Sequence, residues 1–459
     1  MKRISILTVL AVVLLLAISA TTFAQPSGRS YIISGKGNKL PANLEAKVQA
    51  AGGVVTNRID EVGLAVATSS SPNFAQKMGK TAGVSAVMPN LTLQWFDPDA
   101  RVEFGADFAN PPFSGDDDVL FDLQWGHDAV DAPEAWNAGA RGAGARVAVL
   151  DGGFDLDHPD LAPNINFALS MDFTGQGLQY TLPDTFSHGT HTAGTIAAAD
   201  NAFGTIGVAP EAELVLVKVL GDEGSGTFED VIEGIIYAAD VDADVINMSL
   251  GASLYKNGDA NDPDGPYTAR EAQELKNAIA RAVAYAHQNG TTVITSAGND
   301  ANDGDHDKAL IHIPSDAPHA ISIAATAPIG WATDPLNAFL DNPASYTNYG
   351  QSVIDFAAPG GDVAYPGNEN CLIAGLVRPC WVFDLVFSTG NGGWYWSAGT
   401  SMAAPHASGV AALIIGANGG DMKPSQVEAA LRSSADDLGK PGNDDFYGAG
   451  RVNAFNYFE

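Results

Sequence analysis

The sequence predicts an α/β protein: a doubly wound, mostly parallel sheet flanked by helices, preceded by a small α+β unit of ferredoxin-like type. Three observations predict it. From about Asp122 onward, short apolar runs alternate with helical patterns, the order expected of a parallel sheet with crossover helices. The runs are nearly continuous in Val, Ile, Leu and Ala, as strands covered on both faces must be. Residues 30–96 carry a separate strand and helix pattern of their own.

In chain order, residues 1–24 come first. Lys2 and Arg3 precede an apolar run over 6–20, and the small residues Thr22 and Ala24 follow. A charged start, an apolar stretch of about 15 residues and a small-residue site predict a secretory signal peptide cut after Ala24. The run is shorter than the roughly 20 residues of a membrane span. Export makes the protein extracellular, with periplasmic retention left open, and no later stretch predicts a membrane anchor after processing.

Residues 25–97 read as a strand at 31–34, a helix at 41–51, a strand at 63–68, a helix at 72–81 and strands at 84–88 and 91–95. Residues 98–121 carry Pro, Gly and an acidic triplet without periodicity, and are expected to be an exposed linker where processing occurs. The body, 122–459, supplies strands at 146–150, 214–220, 244–249, 291–296 and 320–325, with helices at 188–199, 228–240 and 269–289. The last helix places Leu275, Ile279, Val283 and Ala286 on one face and stops at Gly290,.

Charge divides the chain. Residues 25–96 hold seven Lys/Arg against three Asp/Glu, whereas 97–459 hold 14 against 51, within a total net charge of −31. So acidic a body excludes nucleic-acid binding, which needs a positive footprint. It suits solubility, saline surroundings or bound cations. Opposite signs predict that the two parts dock. Cys371 and Cys380 are the only cysteines; with no His or second Cys pair near them, a disulfide in an oxidising compartment is expected rather than a metal pair.

Four blocks in the acidic part carry chemistry: Val149-Leu-Asp151-Gly-Gly153, Ser187-His188-Gly-Thr-His191-Thr-Ala-Gly194, Thr295-Ser-Ala-Gly298-Asn299 and Gly399-Thr-Ser401-Met-Ala-Ala-Pro405-His406. Together they supply an acyl-transfer set. Ser401 opens a small-residue helix and needs a base to become a nucleophile. His188 can be that base, since imidazole titrates near pH 6.5. Asp151, at a strand end, can fix the imidazole tautomer. Asn299 can aim its amide at a developing oxyanion. Singly, each block has an ordinary structural use, as cap or turn. His188 and His191 could alternatively share a zinc ion, but the Glu of His-Glu-x-x-His is missing. The order Asp, His, Ser along the chain is that of the subtilisin fold.

The chain resembles the subtilisin-like serine proteases, or subtilases, over about 122–453. The histidine and serine blocks match the family's signatures nearly letter for letter, and residues 30–96 resemble its inhibitory propeptide. The resemblance implies a secreted serine endopeptidase made as a self-processed zymogen. It assigns Asp151, His188 and Ser401 as the triad and Asn299 as oxyanion donor. It makes Ser249, Leu250 and Gly251 one wall of the substrate site, Ser296, Ala297 and Gly298 the other, and Pro314 a cis proline. Protein or peptide substrates and the chain's own propeptide, as chaperone and inhibitor, are the implied partners of a monomer. Calcium is the implied metal, held by the Asp160 and Asn201 side chains and the carbonyls of Ala199, Phe203 and Thr205, with Asp122 or Gln124 as an N-terminal ligand.

Weaker signals accompany these. Asp262-Pro-Asp264-Gly265 with Glu271 partly fits a calcium-loop spacing, the Asp300–Asp307 cluster borders the pocket and suits basic side chains, and Asp155 and Asp157 read as rim charge. Gly152 departs from the family, which has Ser or Thr after the triad Asp; water or a backbone N–H is expected to replace that hydroxyl. A catalytically silent subtilase-fold binding protein is the alternative to an enzyme.

Overall fold

The computed structural model describes residues 28–96, 101–104, 118–182, 186–262 and 265–458, those of 101–104 by their backbone alone. The predicted signal peptide, Asp264 and most of the predicted linker lie outside the described residues.

The N-terminal unit is a four-stranded antiparallel sheet in the order Gly53–Ile59, Leu64–Ser69, Arg29–Gly35, Val84–Pro89. Helices Leu44–Ala51 and Phe74–Gly79 make the crossovers, the split βαβ arrangement of ferredoxin-like folds. Successive strand residues face opposite ways. Ile33, Ala65 and Ala67 therefore pack on the unit's own helices with Leu44, Val48 and Phe74, while Ile32, Val66, Ala86 and Met88 pack into the body's core. The strand Gly53–Ile59 was not predicted. It is an edge strand whose polar residues alternate outward, so only half of it carries an apolar signal.

Docking does not take the form that the charge contrast suggests. Arg58 pairs with Glu45 and Asp60 of its own unit, and no ion pair crosses to the body among the described residues. Hydrogen bonds do the joining instead: Asn57 Nδ2 donates to Glu229 Oε1 at 2.9 Å and Glu233 Oε1 at 2.5 Å, Asn90 Nδ2 to Glu229 Oε2 at 3.1 Å, and the body's Arg270 to the Ser85 carbonyl at 3.0 Å.

The body's main sheet runs Asn342–Pro343, Ala320–Ala327, Thr292–Ser296, Val245–Met248, Arg146–Asp151, Glu213–Lys218, Met171–Asp172, with Phe356–Pro359 also paired to Ala320–Ala327. All pairings are parallel except that of Asn342–Pro343. After Arg146–Asp151 the chain adds Glu213–Lys218 on one side, then crosses to Val245–Met248 on the other. Asp151 therefore ends the strand at the topological switch, where such sheets place their ligands. The two faces are covered separately. Val147, Val149, Leu214 and Leu216 pack with the helix Thr400–Ala417, while Ala148, Leu150, Val215 and Val217 pack with Phe228–Asp240 and Ala269–Gln288. Leu275, Ile279, Val283 and Ala286 are buried as their spacing predicts. Thr400–Ala417 is long and apolar enough to cross a membrane, but it is a core helix, 89% buried. Cys371 and Cys380 are disulfide-bonded across the hairpin Asn370–Ile373 and Leu376–Pro379, and the Ile313–Pro314 peptide is cis.

Candidate active site

The strand Arg146–Asp151 delivers Asp151 fully buried, and the helix His188–Ala197 begins on His188. The helix cap sets their approach: Ser187 Oγ accepts from Thr190 N and donates to the carbonyl of Gly153, two residues past Asp151. His188 Nδ1 consequently lies 2.9 Å from both Asp151 oxygens. Gly152 N donates to Asp151 Oδ1 at 2.7 Å and Thr192 Oγ1 to Oδ2 at 3.2 Å. Asp151 thus takes one donor from the Gly152 backbone and one from Thr192. Thr192, one turn into the helix, was not singled out from sequence; its place within the histidine block was the available signal.

Ser401 is the second residue of Thr400–Ala417. Ser249 holds it twice, donating from Oγ to the Ser401 carbonyl at 2.7 Å and accepting the Ser401 hydroxyl on its own carbonyl at 3.1 Å. No hydrogen bond joins Ser401 to His188 among the described residues. Asn299 is oriented by its neighbour: Oδ1 accepts from both the N–H and the hydroxyl of Thr400 at 2.9 Å. With its oxygen so engaged, Asn299 has its NH2 left to donate. Thr400 is a further site residue that sequence reasoning passed over, although it belongs to the serine block.

One cleft of about 450 Å³ collects Gly251, Ser296, Ala297, Gly298, Asn299 and Ser401. Ser249 and Leu250 stand behind this surface, wholly buried, and Ser296 Oγ donates to the Leu250 carbonyl at 3.4 Å, joining the two walls. Asp300 lines the cleft, opposite His312. The other aspartates of its loop are engaged elsewhere, Asp303 by His306, Asp305 by Ser352 and Asp307 by Asn302.

The cleft already holds a peptide segment. Thr92–Gln94 pairs antiparallel with Ser225–Thr227, Trp95 N donates to the Gly224 carbonyl, and Gly251 N donates to the Trp95 carbonyl, both at 2.9 Å. The Trp95 indole is buried, donating to the Gly226 carbonyl and packing 5.3 Å from Phe228. Phe96 lies flat on His188, with ring centroids 4.0 Å apart and planes 8° apart.

Several expectations are corrected. His191 is no zinc ligand: Nε2 bonds the carbonyls of Val386 and Tyr395, and burial holds the ring neutral, its pKa lowered to about 3. Asp155 is not rim charge. It is 5% exposed and accepts the Gly392 N–H at 2.8 Å, and burial raises its carboxyl above the usual range. Asp157 is exposed. Glu271 is the N3 residue of a helix capping box with Thr268, not a loop ligand.

Asp160 meets the loop that the calcium expectation requires. Its Oδ2 accepts from Thr205 N, Thr205 Oγ1 and Trp394 Nε1, and its Oδ1 is buried with no hydrogen-bond partner. Asp118 joins it, accepting the N–H groups of Phe203 at 2.9 Å and Asn201 at 3.3 Å. Asn201 Nδ2 donates to the Pro159 carbonyl. The N–H groups of Ala199, Phe203 and Thr205 are all taken by Asp160 or Asp118, so each residue's remaining offer is its carbonyl oxygen. This donor set fits a hard cation. The N-terminal side chain that meets this loop is Asp118, not Gln124 or Asp122. Gln124 spends both amide atoms on the Ile206 backbone, and Asp122 faces a separate pocket with Trp331.

The subtilase family model matches residues 142–450. Thermitase from Thermoactinomyces vulgaris is 33% identical over 345 residues, 75% of this chain and 98% of that protein. The major intracellular serine protease of Bacillus subtilis (strain 168) is 36% identical over 294 residues, 64% of this chain and 75% of that protein. The crystal structure of an epidermin leader peptide processing serine protease from Staphylococcus aureus superposes with a TM-score of 0.72 at 21% identity, covering 94% of this chain and 97% of that one. Fold, matched blocks and relatives agree: the chain belongs to the subtilase family and is a serine endopeptidase.

Proposed function

We propose that Asp151, His188 and Ser401 act as the triad of this protease, on peptide bonds laid along the cleft. The observation that carries the reading is the His188–Asp151 pair at 2.9 Å beside a cleft lined by Ser401 and Asn299. Rotation of the Ser401 hydroxyl away from the Ser249 carbonyl frees its proton for His188. Oγ then attacks the peptide carbonyl, while Asn299 Nδ2 and Ser401 N–H hold the oxyanion. His188 passes the proton to the leaving amine, and water, deprotonated by His188, releases the acyl group. Loss of an oxyanion donor of this kind costs about 10²–10³ in turnover, a figure known from subtilisin itself and carried here by family likeness.

Residues 25–97 act in this reading as an intramolecular inhibitor and folding aid. Its support is the stretch Thr92–Phe96, which lies along the cleft and covers His188. Cleavage beyond Phe96, followed by release of the unit, makes the active form. Export is supported by the charged and apolar start of the chain and by the disulfide,. Calcium, when bound by Asp160, Asp118, Asn201 and the carbonyls of Ala199, Phe203 and Thr205, supplies charge neutralisation and loop closure, not chemistry.

A fluorophosphonate probe should label Ser401 in the processed protein, and Ser401→Ala should abolish both labelling and proteolysis. Labelling absent from folded, processed protein would instead identify a silent binding protein.

A further inference from the structure

Gly152 shapes the floor of the cleft as well as the hydrogen bonding of Asp151. We propose that Gly152 determines specificity: with Gly224 it leaves a flat slot over His188 that takes an aromatic side chain of the substrate. The inference rests on the triad reading above and concerns a different property of the same site.

Phe96 shows the slot filled. Its ring is 9% exposed, with one face on the imidazole at 4.0 Å. Two glycines bound its edges. A Cβ on Gly152 would stand 3.6 Å from Phe96 Cζ and 3.7 Å from Cε1, already in van der Waals contact with the ring edge. The same Cβ would stand 3.1 Å from the Gly221 carbonyl oxygen, so a branched side chain has little room to turn away from the ring. On the other edge, a Cβ on Gly224 would come within 2.7 Å of Cε2. Gly224 has φ +83°, a conformation that independently favours glycine. Gly152 has no such backbone reason; atoms added beyond a Cβ there would crowd the ring edge.

The tail reports on substrates because it runs in the cleft as an added strand, bonded to Gly224 on one side and Gly251 on the other,. A substrate backbone on the same track sets one side chain where Phe96 lies. An aromatic side chain there gains burial and a flat contact with the imidazole. When His188 takes up the Ser401 proton, that contact becomes a cation on a π face, which is attractive. The gain therefore grows toward the transition state, and it belongs in kcat as well as KM.

The test is a set of internally quenched peptides in which each position on the amino side of the scissile bond is Phe, Leu or Ala in turn, assayed with the processed enzyme and with Gly152→Val. At one position Phe should exceed Ala in kcat/KM by about ten- to a hundredfold. In G152V that ratio should collapse toward one while ratios at other positions hold. A wild-type enzyme that cuts these peptides without aromatic preference at any position overturns the slot and leaves the triad reading standing. So does a ratio that survives in G152V. If no peptide is cut, the triad reading itself fails. Should G152V fail to fold by circular dichroism, Gly152→Ser decides by the same ratio, with a reduced but measurable fall expected.

Discussion

Asp151 and Asp160 lie nine residues apart, and both are wholly buried, yet the same carboxylate meets opposite surroundings in the two places. Every Asp151 oxygen is claimed by a neighbour: His188 reaches both, Gly152 N reaches Oδ1 and Thr192 reaches Oδ2. Such a carboxylate is fixed and can fix something else. Asp160 concentrates three donors on Oδ2 and leaves Oδ1 buried without a partner. Burial raises its pKa, which is the physical sign of a charge lacking compensation. An uncompensated buried oxygen is expensive, and a cation relieves that cost. On the proposed reading, the contrast separates chemistry from stability within one short stretch of chain.

Substitution should split the two tasks. Asp151→Asn should lower kcat by about 10⁴, since the amide favours the wrong imidazole tautomer, and leave the melting temperature within a few degrees. Initial rates and a thermal melt check both halves, and a fall of less than tenfold would break the contrast. Asp160 should behave in reverse. Chelation of calcium should remove about 2.7 kcal/mol of stability at a calcium level a hundredfold above its dissociation constant. Asp160→Asn should melt identically with and without chelator while keeping its turnover at 25 °C within about twofold. A melting point of the wild-type protein that ignores chelator would count against the site.

The contrast recurs one turn along the helix. His188 faces the cleft, whereas His191 is held neutral by burial, with a pKa of about 3. The folded value lies below the unfolded value of about 6.5, so the unfolded chain binds the proton more readily. The stability from this residue is complete above pH 6.5 and is lost as pH falls toward 3. About 2 kcal/mol should be gone at pH 5. Urea unfolding at pH 7.5 and pH 5 measures it: His191→Gln should shrink the difference by that amount and leave the share of His127 and His406, which burial shifts the same way.

What the sequence made legible follows from how far each signal reaches. The triad candidates and Asn299 stand in short blocks whose residue types state their chemistry, and the central strands are apolar runs too continuous to be anything but buried. Asp118 was read as linker charge because its partners, Asn201 and Phe203, are more than 80 residues away. Asp155 failed for the same reason, since its partner Gly392 belongs to the hairpin Val386–Gly390 and Gly393–Ser397. Phe356–Pro359 pairs in the sheet through only four residues, too few for periodicity to show. Thr192 and Thr400 lay inside quoted blocks, but their work is to hold other side chains, and no motif spacing announces that.

The N-terminal unit grips the body at two places, the sheet face with Asn57 and Asn90 on Glu229 and Glu233, and the tail with Trp95 and Phe96 in the cleft. Two grips on one tether make release of either a local event, because the other keeps the freed part at millimolar effective concentration. A single cut beyond Phe96 leaves both grips intact but changes the arithmetic. Rebinding then becomes bimolecular, so the fraction of free enzyme depends on how far the products are diluted. On the proposed reading, the cut alone does not arm the protease; dispersal does.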